Sequence, residues 1–282
     1  MDKKKKIISG VLTLALIVIG YYTYQYIMFI ETDNAQVEAH TVLIASKVSG
    51  YVKTVPAADG LKVKKDDLLV QIDARDFKAA LSAAQSEVLS LEARKNDAEK
   101  NYSRIKELFN KSVVSQQQFD SAKAAYNEIK AKYDSAASRA IQAEINLENT
   151  EIKAPSDGIV AKVGAEIGQL ANPGAPLVGF VSSESRWIIA NFKETDIAEI
   201  KIGQFVDIKI DAFSKNTFNG EVESISSATG ATFTLLPPDN ATGNFTKVVQ
   251  RVAVKIKITN LSEEQKNQLQ TGLSAIVKVH VR

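Results

Sequence analysis

The sequence of 282 residues contains no cysteine and only two histidines, His40 and His280. The lack of cysteine excludes disulfide bonds, thiolate metal ligands, a cysteine nucleophile and a lipidated cysteine. Neither histidine has a ligand or a nucleophile at a recognisable spacing, and the sequence has no phosphate-binding glycine loop or serine elbow. We therefore expect a protein that is not an enzyme and that has no cofactor and no metal site.

The sequence also lacks an excess of charge of either sign. The net charge is +2, from 35 basic and 33 acidic residues, and four of the lysines and one aspartate lie in residues 1–30. The rest of the chain therefore holds 31 basic and 32 acidic residues, a balance that does not favour binding to nucleic acid. We expect no nucleic-acid partner.

One long apolar run is present, at the N-terminus. Four lysines at positions 3–6 precede residues 7–30, a run of 24 residues without a charge. At a rise of about 1.5 Å per residue, this run can span a bilayer core of about 30 Å. A cleaved signal peptide is the alternative, but bulky aromatic residues follow the apolar run where a cleavage site would have small ones. We predict a retained single-pass anchor in residues 1–30, with the N-terminus in the cytoplasm because of the lysines.

The chain after the anchor contains a split repeat. At an offset of 108 positions, two glycines and three apolar residues fall on residues of the same type. The first copy has Gly50, Val52, Gly60, Leu69 and Val70, and the second copy has Gly158, Val160, Gly168, Leu177 and Val178. Glycines suit turns between short strands, so the pattern predicts two related β-rich halves, in residues 42–72 and 150–182.

The region between the two halves has the composition of helices. Residues 61–154 contain neither proline nor glycine. Apolar residues recur at alternating steps of four and three from Phe77 to Phe109, with Lys95 in one polar position, and again from Phe119 to Leu147. This period is typical of coiled-coil helices. Because the flanking halves must meet, we predict an antiparallel helical hairpin in residues 73–149, with arms that reach about 50 Å.

The ends of both helices carry signals. Asp73 and Asp76 indicate an acidic start of the first helix, and Ser115 and Gln118 have the spacing of a capping box at the start of the second. The turn is therefore expected in the stretch FNKSVV, residues 109–114.

Residues 183–282 hold several segments with strand character, among them RWIIANF and QFVDIKID. They predict a small barrel or sandwich, joined by a lead-in strand in residues 31–41. Trp187 opens an apolar segment and is interpreted as a core residue. Residues 234–244 are predicted to form a long polar loop. The predicted fold is mixed α and β: a transmembrane helix, a β domain split by a coiled-coil hairpin, and a small β-barrel.

Several stretches resemble the membrane fusion proteins, or periplasmic adaptors, of the HlyD and EmrA type. These stretches are TDNAQV, VSGYV, IKAPSDGIV and LLPPDNATGNFTKVVQRVAVKI, and the resemblance covers nearly the whole chain. It implies that the split β domain is lipoyl-like. GLKVKKDDLLVQIDARDF also resembles half of a lipoyl or biotinyl carrier domain, but Asp73, Ala74 and Arg75 stand where a carrier has its lysine.

A second resemblance lies at the predicted hairpin tip. Adaptors that engage TolC-like outer-membrane channels carry an Arg, a Leu, two residues of any type, a Leu, six residues of any type and a Ser. The stretch RIKELFNKSVVS is similar, with Arg104, Ile105, Leu108 and Ser115, although Ile105 replaces the first leucine. The alternative is structural: hairpin packing for Ile105 and Leu108, a surface charge for Arg104 and a helix cap for Ser115. Both roles are compatible for Ser115.

The resemblance implies a periplasmic adaptor of a tripartite efflux or secretion system, anchored in the inner membrane of a Gram-negative bacterium. As a homo-oligomer, it would join an inner-membrane transporter to a TolC-like outer-membrane channel and serve multidrug or other small-molecule export. A transporter of the major-facilitator type is favoured over an ABC exporter. The alternatives are a membrane-tethered lipoyl or biotinyl carrier, which needs a lysine at the turn, and a coiled-coil scaffold without a transport role. The arms are short for an EmrA-type protein, so the channel or stacked partners would have to span the remaining distance.

Overall fold

The structure, a computed structural model, describes residues 12, 14, 16, 20, 28–213, 216–229 and 249–281. Among these residues, no helix is both long enough and apolar enough to cross a membrane. The anchor predicted in residues 1–30 falls almost wholly outside the described residues, and the loop predicted at 234–244 lies entirely outside them.

The described residues form two compact units, Thr41–Phe180 and the segments that precede and follow it. The mixed α and β character predicted from the sequence is confirmed. The helices are α1 (Arg75–Asn110), α2 (Gln116–Glu148) and the short α3 (Glu263–Gln268). The strands are β1 (Phe29–Glu38), β2 (Thr41–Ala45), β3 (Gly50–Thr54), β4 (Lys62–Val63), β5 (Leu68–Ile72), β6 (Glu151–Lys153), β7 (Gly158–Val163), β8 (Leu170–Ala171), β9 (Pro176–Ser182), β10 (Trp187–Lys193), β11 (Phe205–Ile210), β12 (Thr217–Thr229), β13 (Arg251–Thr259) and β14 (Ser274–His280).

The predicted repeat forms two four-stranded sheets in the unit Thr41–Phe180. One sheet has the strand order β2-β9-β7-β4 and the other β6-β5-β3-β8, so each sheet takes two strands from each half of the repeat. The two halves therefore interlock. They share one apolar core, which contains the repeated residues Val52, Leu69, Val70, Val160, Leu177 and Val178, all of them buried.

The backbone hydrogen bonds of this unit follow the same repeat. Gly60 N donates to Val160 O, and Gly168 N donates to Val52 O, each at 2.8 Å. Each bond is the image of the other at the offset of 108 positions. Gly60 and Gly168 have φ values of 77° and 86°, a region that other residues enter only with strain. The offset of 108 positions in the sequence therefore corresponds to two equivalent turns. Each turn donates a backbone hydrogen bond to a strand of the other half.

Helices α1 and α2 pack against each other in opposite directions. Near the turn, the rings of Phe109 and Phe119 stack with centroids 4.9 Å apart, and towards the other end Arg139 Nη1 donates to Glu87 Oε1 at 3.2 Å. The less exposed residues of both helices recur at the positions of the predicted apolar seams. The hairpin of two antiparallel helices follows from this seam, because only those faces are covered.

Six strands close a barrel in the order β1-β10-β13-β12-β11-β14. The alternative between a barrel and a sandwich is thereby settled. Alternate residues along each strand face inwards and form one core, which includes Ile188, Val254 and Val277. Gly220 lies where three elements meet, since a Cβ there would come within 2.7 Å of Ile208 Cδ1 and 2.9 Å of the Lys257 carbonyl oxygen.

The first barrel strand begins earlier than the sequence suggests. β1 starts at Phe29, two residues before the predicted lead-in strand, and Phe29 and Ile30 face His280 and Val279 of β14. Ile30 packs against the barrel core. These two apolar residues, which the sequence assigns to the anchor, therefore belong to the barrel.

Trp187 does not lie in the core, and that interpretation was wrong. The inward residues of β10 are the buried Ile188, Ala190 and Phe192, so the alternation places Trp187 on the outer surface. There its ring meets the His40 ring edge at 4.8 Å between centroids, and Lys255 Nζ lies 4.9 Å from the ring centre. Trp187 is half-buried by these neighbours.

Candidate functional site

The chain turns between α1 and α2 through residues 111–115, a segment that begins two residues after the start of the predicted stretch and ends one residue after its end. Two backbone hydrogen bonds close the end of α1: Ser112 N donates to Phe109 O at 2.8 Å, and Val113 N donates to Leu108 O at 2.9 Å. This pair of bonds is a Schellman motif, in which the residue after the cap has a positive φ. Ser112 provides that conformation, with φ at 58°. The tip is therefore a defined turn, and Leu108 lies in the last closed turn of α1.

Ser115 caps α2, as predicted. Its Oγ accepts a hydrogen bond from Gln118 N at 3.3 Å, and Gln118 Oε1 accepts one from Ser115 N at 3.0 Å. Both halves of the capping box are present, so two backbone donors at the start of α2 are satisfied. The capping role of Ser115 is confirmed, and its contact with a partner stays a prediction.

The apolar residues of the tip motif lie on one face of α1. Ile105 and Leu108 are three positions apart and both half-buried. Ile105 and Ser115 also line a shallow depression between the two helices, together with Gln118 and Ala122. Arg104 and Leu108 do not line this depression. The structure thus brings Ile105 and Ser115 together in this depression, whereas Arg104 and Leu108 lie outside it.

Aromatic side chains of α1 and α2 pack against each other close to the turn. Tyr102 of α1 lies 5.6 Å from Tyr126 and 5.8 Å from Phe119, and Phe119 in turn stacks on Phe109. Aromatic pairs in such geometries contribute about 0.5–1.5 kcal/mol each beyond the area they bury. The two arms are therefore held together close to the turn, which fixes the position of the tip side chains.

Arg104 offers a cation without a partner. Its side chain is exposed, and within the described ranges no carboxylate pairs with it. The nearby acids are engaged elsewhere, because Glu107 accepts from Lys111 at 2.6 Å and Asp120 accepts from Gln116 at 3.0 Å. The guanidinium carries five N–H donors in a planar fork, which suits carbonyl or carboxylate acceptors on a partner.

Val113 is a tip residue that the motif does not include. It is 66% exposed at the turn, although a valine there gains nothing from contact with water. The signal in the sequence is the pair Val113 and Val114 inside an otherwise polar stretch, NKSVVS. With Ile105 and Leu108, Val113 extends the apolar part of the tip.

At the turn where a carrier domain would have its lysine, this chain has Asp73, Ala74 and Arg75. Helix α1 begins at Arg75 with Ala74 as its cap residue, so Asp73 does not cap the helix, while Asp76 lies in the first turn as expected. Instead, Asp73 Oδ2 pairs with Arg75 Nη2 at 2.6 Å. Hydrogen bonds from the side chain and the backbone of Arg75 lower the pKa of Asp73 to about 2. The turn leads directly into the hairpin and holds an ion pair.

The described part of the chain also contains no group of three or more His, Asp or Glu side chains that could hold a metal ion. The hairpin tip presents an apolar set, a guanidinium with no carboxylate partner among the described residues, and a capped helix start.

Comparison with known proteins identifies relatives along the whole chain. Residues 40–181 match the family described as "RND MFP, barrel-sandwich hybrid domain". The multidrug export protein EmrA of Haemophilus influenzae is 32% identical, over 99% of this chain and 84% of the relative. The colistin resistance protein EmrA of Acinetobacter baumannii is 33% identical, over 100% of this chain and 96% of the relative.

A solved structure with the same fold is that of the membrane fusion protein Spr0693 from Streptococcus pneumoniae R6. It superposes with a TM-score of 0.64 at 16% sequence identity and covers 90% of this chain and 99% of its own. This likeness concerns the fold, which the two chains share despite their low identity.

Proposed function

The chain belongs to the membrane fusion proteins that serve efflux systems as periplasmic adaptors, and from this premise we propose that it joins an inner-membrane transporter to a TolC-like outer-membrane channel. The chain acts as a homo-oligomer. The observation that carries the proposal is the hairpin tip, where Arg104 is unpaired within the described residues and Ile105, Leu108 and Val113 are only partly covered.

The tip has the properties of one half of a protein contact. Binding surfaces usually combine partly exposed apolar side chains, which gain from burial, with a few polar groups that fix the register. Here the apolar set is Ile105, Leu108 and Val113, and Arg104 supplies directional hydrogen bonds to acceptors at the helical end of the channel. Ser115 keeps α2 capped beside them.

The adaptor is placed in the inner membrane with a single span in residues 1–30, its N-terminus in the cytoplasm and most of the chain in the periplasm. The lysines at positions 3–6 support this orientation. The transporter is of the major-facilitator type, and the cargo is a drug or another small molecule. The names of the relatives, a multidrug export protein and a colistin resistance protein, support a cargo of this class.

The test is photocrosslinking in cells from a probe at Leu108, followed by mass spectrometry of the captured protein. Leu89 provides the control, because it is another leucine of α1, is more exposed than the half-buried Leu108 and lies about 28 Å further from the tip at 1.5 Å per residue. We expect capture of an outer-membrane channel from position 108 and not from position 89.

Two other outcomes would contradict the proposal. Capture of a soluble acyl-transfer enzyme would favour a carrier, in which case the ion pair of Asp73 and Arg75 would need another explanation. Capture of nothing but other copies of this chain from both positions would favour a scaffold without a transport role.

A further inference from the structure

The exposed apolar side chains of the barrel are not scattered. Among the described residues from Met28 onwards that belong to the barrel unit, the large hydrophobic residues with the greatest exposure are Phe205 at 75%, Ile202 at 69% and Val249 at 51%. We call these three residues the barrel rim. From Met28 onwards, no other large hydrophobic residue that the structure describes in this unit is comparably exposed.

The strand register places the whole barrel rim at one end of the barrel. Phe205 is the first residue of β11, and the next residue, Val206, faces Val279 near the end of β14. Val249 lies two residues before β13, whose first residue pairs with the last residue of β10. Ile202 lies in the turn that leads into β11. This is the end of the barrel at which β1 begins.

Hydrogen bonds and a ring contact join this end of the barrel to Met28 and Phe29, where β1 begins. Gln204 Nε2, in the turn that carries Ile202, donates to Val281 O at 3.4 Å. Val281 N in turn donates to Met28 O at 3.1 Å. Phe29, the next residue, has its ring 4.7 Å from that of His280. The turn of Ile202 is therefore linked by two successive hydrogen bonds to Met28, which lies near the C-terminal end of the predicted anchor.

From this arrangement we propose that the barrel rim inserts into the headgroup region of the membrane and forms a second membrane contact beside the anchor. The inference rests on the proposed function, because it requires the single span in residues 1–30. Each interfacial layer of a bilayer is about 5–8 Å thick, and neighbouring strands lie about 4.8 Å apart. Phe205 stands two strands from Phe29, through β14, so an anchor that ends just before Phe29 brings Phe205 to the membrane surface.

Contact with lipid would stabilise the exposed apolar side chains of the barrel rim, whereas contact with water does not. A fully exposed Phe or Ile at the membrane surface gains about 1.5–3 kcal/mol when it is buried in an apolar environment. Charges of both signs surround the barrel rim: Glu221 of β12 faces Phe205, and Lys201 directly precedes Ile202. The contact is therefore apolar rather than electrostatic, and we expect it to persist in high salt.

The test uses the full-length protein, whose lack of cysteine allows single-cysteine labelling without further substitutions. The variants Phe205→Cys and Ile202→Cys carry an environment-sensitive fluorophore, and the protein is reconstituted into zwitterionic vesicles with and without nitroxide-labelled lipid. Ser274→Cys is the negative control, because Ser274 is exposed and starts β14 at the opposite end of the barrel, about 20 Å from His280. Leu16→Cys, within the predicted anchor, is the positive control. The emission of the single tryptophan, Trp187, reports whether each variant is folded.

We expect quenching by the lipid nitroxide at positions 16, 202 and 205 and none at position 274. Quenching at 16 but not at 202 or 205 would overturn the inference and leave the anchored adaptor intact; this result is also the one expected if a transporter, absent from these vesicles, covers the barrel rim. No quenching at 16 would overturn the inference together with the anchored topology. Equal quenching at 205 and 274 would overturn it as well, because the protein would then be adsorbed without regard to its orientation.

Discussion

Reversal of the charge at position 104 separates the contact role of the tip from its folding. Arg104 is exposed and lacks an ion-pair partner among the described residues, so Arg104→Asp should change the free energy of unfolding by no more than about 0.5 kcal/mol. At a contact, the aspartate would face the acceptors that bound the guanidinium. Misplaced like charges and lost charged hydrogen bonds cost about 2–4 kcal/mol, which corresponds to about a 30- to 1000-fold loss of affinity for the channel.

The assay compares the crosslinking yield from position 108 and the drug resistance that the gene restores to a strain without its own adaptor. Arg94→Asp is the matched control, since Arg94 is likewise exposed on α1 and lies about 15 Å further from the tip. Arg104→Lys should retain part of the function, because it keeps the charge and loses the planar fork. Normal export in the Arg104→Asp strain would refute the contact, and so would an equal loss with Arg94→Asp.

Four further predictions concern single features of the fold. Ser115→Ala should lower the stability of the hairpin by about 1 kcal/mol in thermal melts followed by circular dichroism, whereas Ser115→Asn should keep the cap and lose little. Gly220→Ala should destabilise the barrel by about 1–3 kcal/mol in urea unfolding followed by Trp187 emission, because its Cβ would lie 2.7 Å from a side-chain carbon and 2.9 Å from a backbone oxygen. The pKa of Asp73 is lowered from its ordinary value of 3.8 to about 2, so its contribution to stability is present above about pH 4 and is lost as the pH falls towards 2. The melting temperature of Asp73→Asn should therefore depend less on pH in this window. Removal of residues 1–27 should leave a protein that alkaline carbonate extracts from the membrane fraction, because the barrel rim reaches only the headgroup region.

For each of these four variants, one result would contradict the prediction. An unchanged melt for Ser115→Ala would mean that water replaces the cap without cost, and an unchanged unfolding midpoint for Gly220→Ala would mean that the strands can move apart. A pH profile of Asp73→Asn that matches the parent would assign the acid sensitivity to other carboxylates. Resistance of the truncated protein to extraction by alkaline carbonate would contradict the single anchor.

The hairpin and the split repeat could be predicted because their signals are local or periodic. The seam recurs every three to four residues, and its one polar position, Lys95, is explained by the structure: the ammonium lies 4.1 Å from the centre of the Tyr133 ring. Ser115 and Gln118 form their capping box from adjacent sequence alone. Of the repeated glycines, Gly60 and Gly168 marked turns with a positive φ, whereas Gly50 and Gly158 begin strands β3 and β7.

Other features depend on contacts between distant residues, and the sequence left them undetermined. Phe29 and Ile30 are apolar, as a membrane anchor and a barrel strand both require, and only the pairing with β14 assigns them to the barrel. Trp187 stands beside Ile188 and Ile189, so the apolar segment did not reveal which face is inside. Asp73 was interpreted as a helix-start signal, and its Oδ1 does accept a hydrogen bond from Arg75 N, the first residue of α1, but the sequence did not show that its carboxylate also pairs with the Arg75 guanidinium. Whether the tip residues bind a channel depends on a partner and stays a prediction.

The point at which the hairpin is inserted has a consequence for how such proteins diverge. Helix α1 leaves β5 and α2 enters β6, and these strands are neighbours, with Gln71 facing Glu151 and with Ile72 N donating to Thr150 O at 2.8 Å. An in-frame gain of seven residues in each arm would add about 10 Å of reach, keep the phase of the seam and leave this junction unaltered. A gain in one arm alone would shift every pairing between the arms. Matched insertions or deletions are therefore the steps open to evolution, and the length of the hairpin can be inherited independently of the domain that carries it.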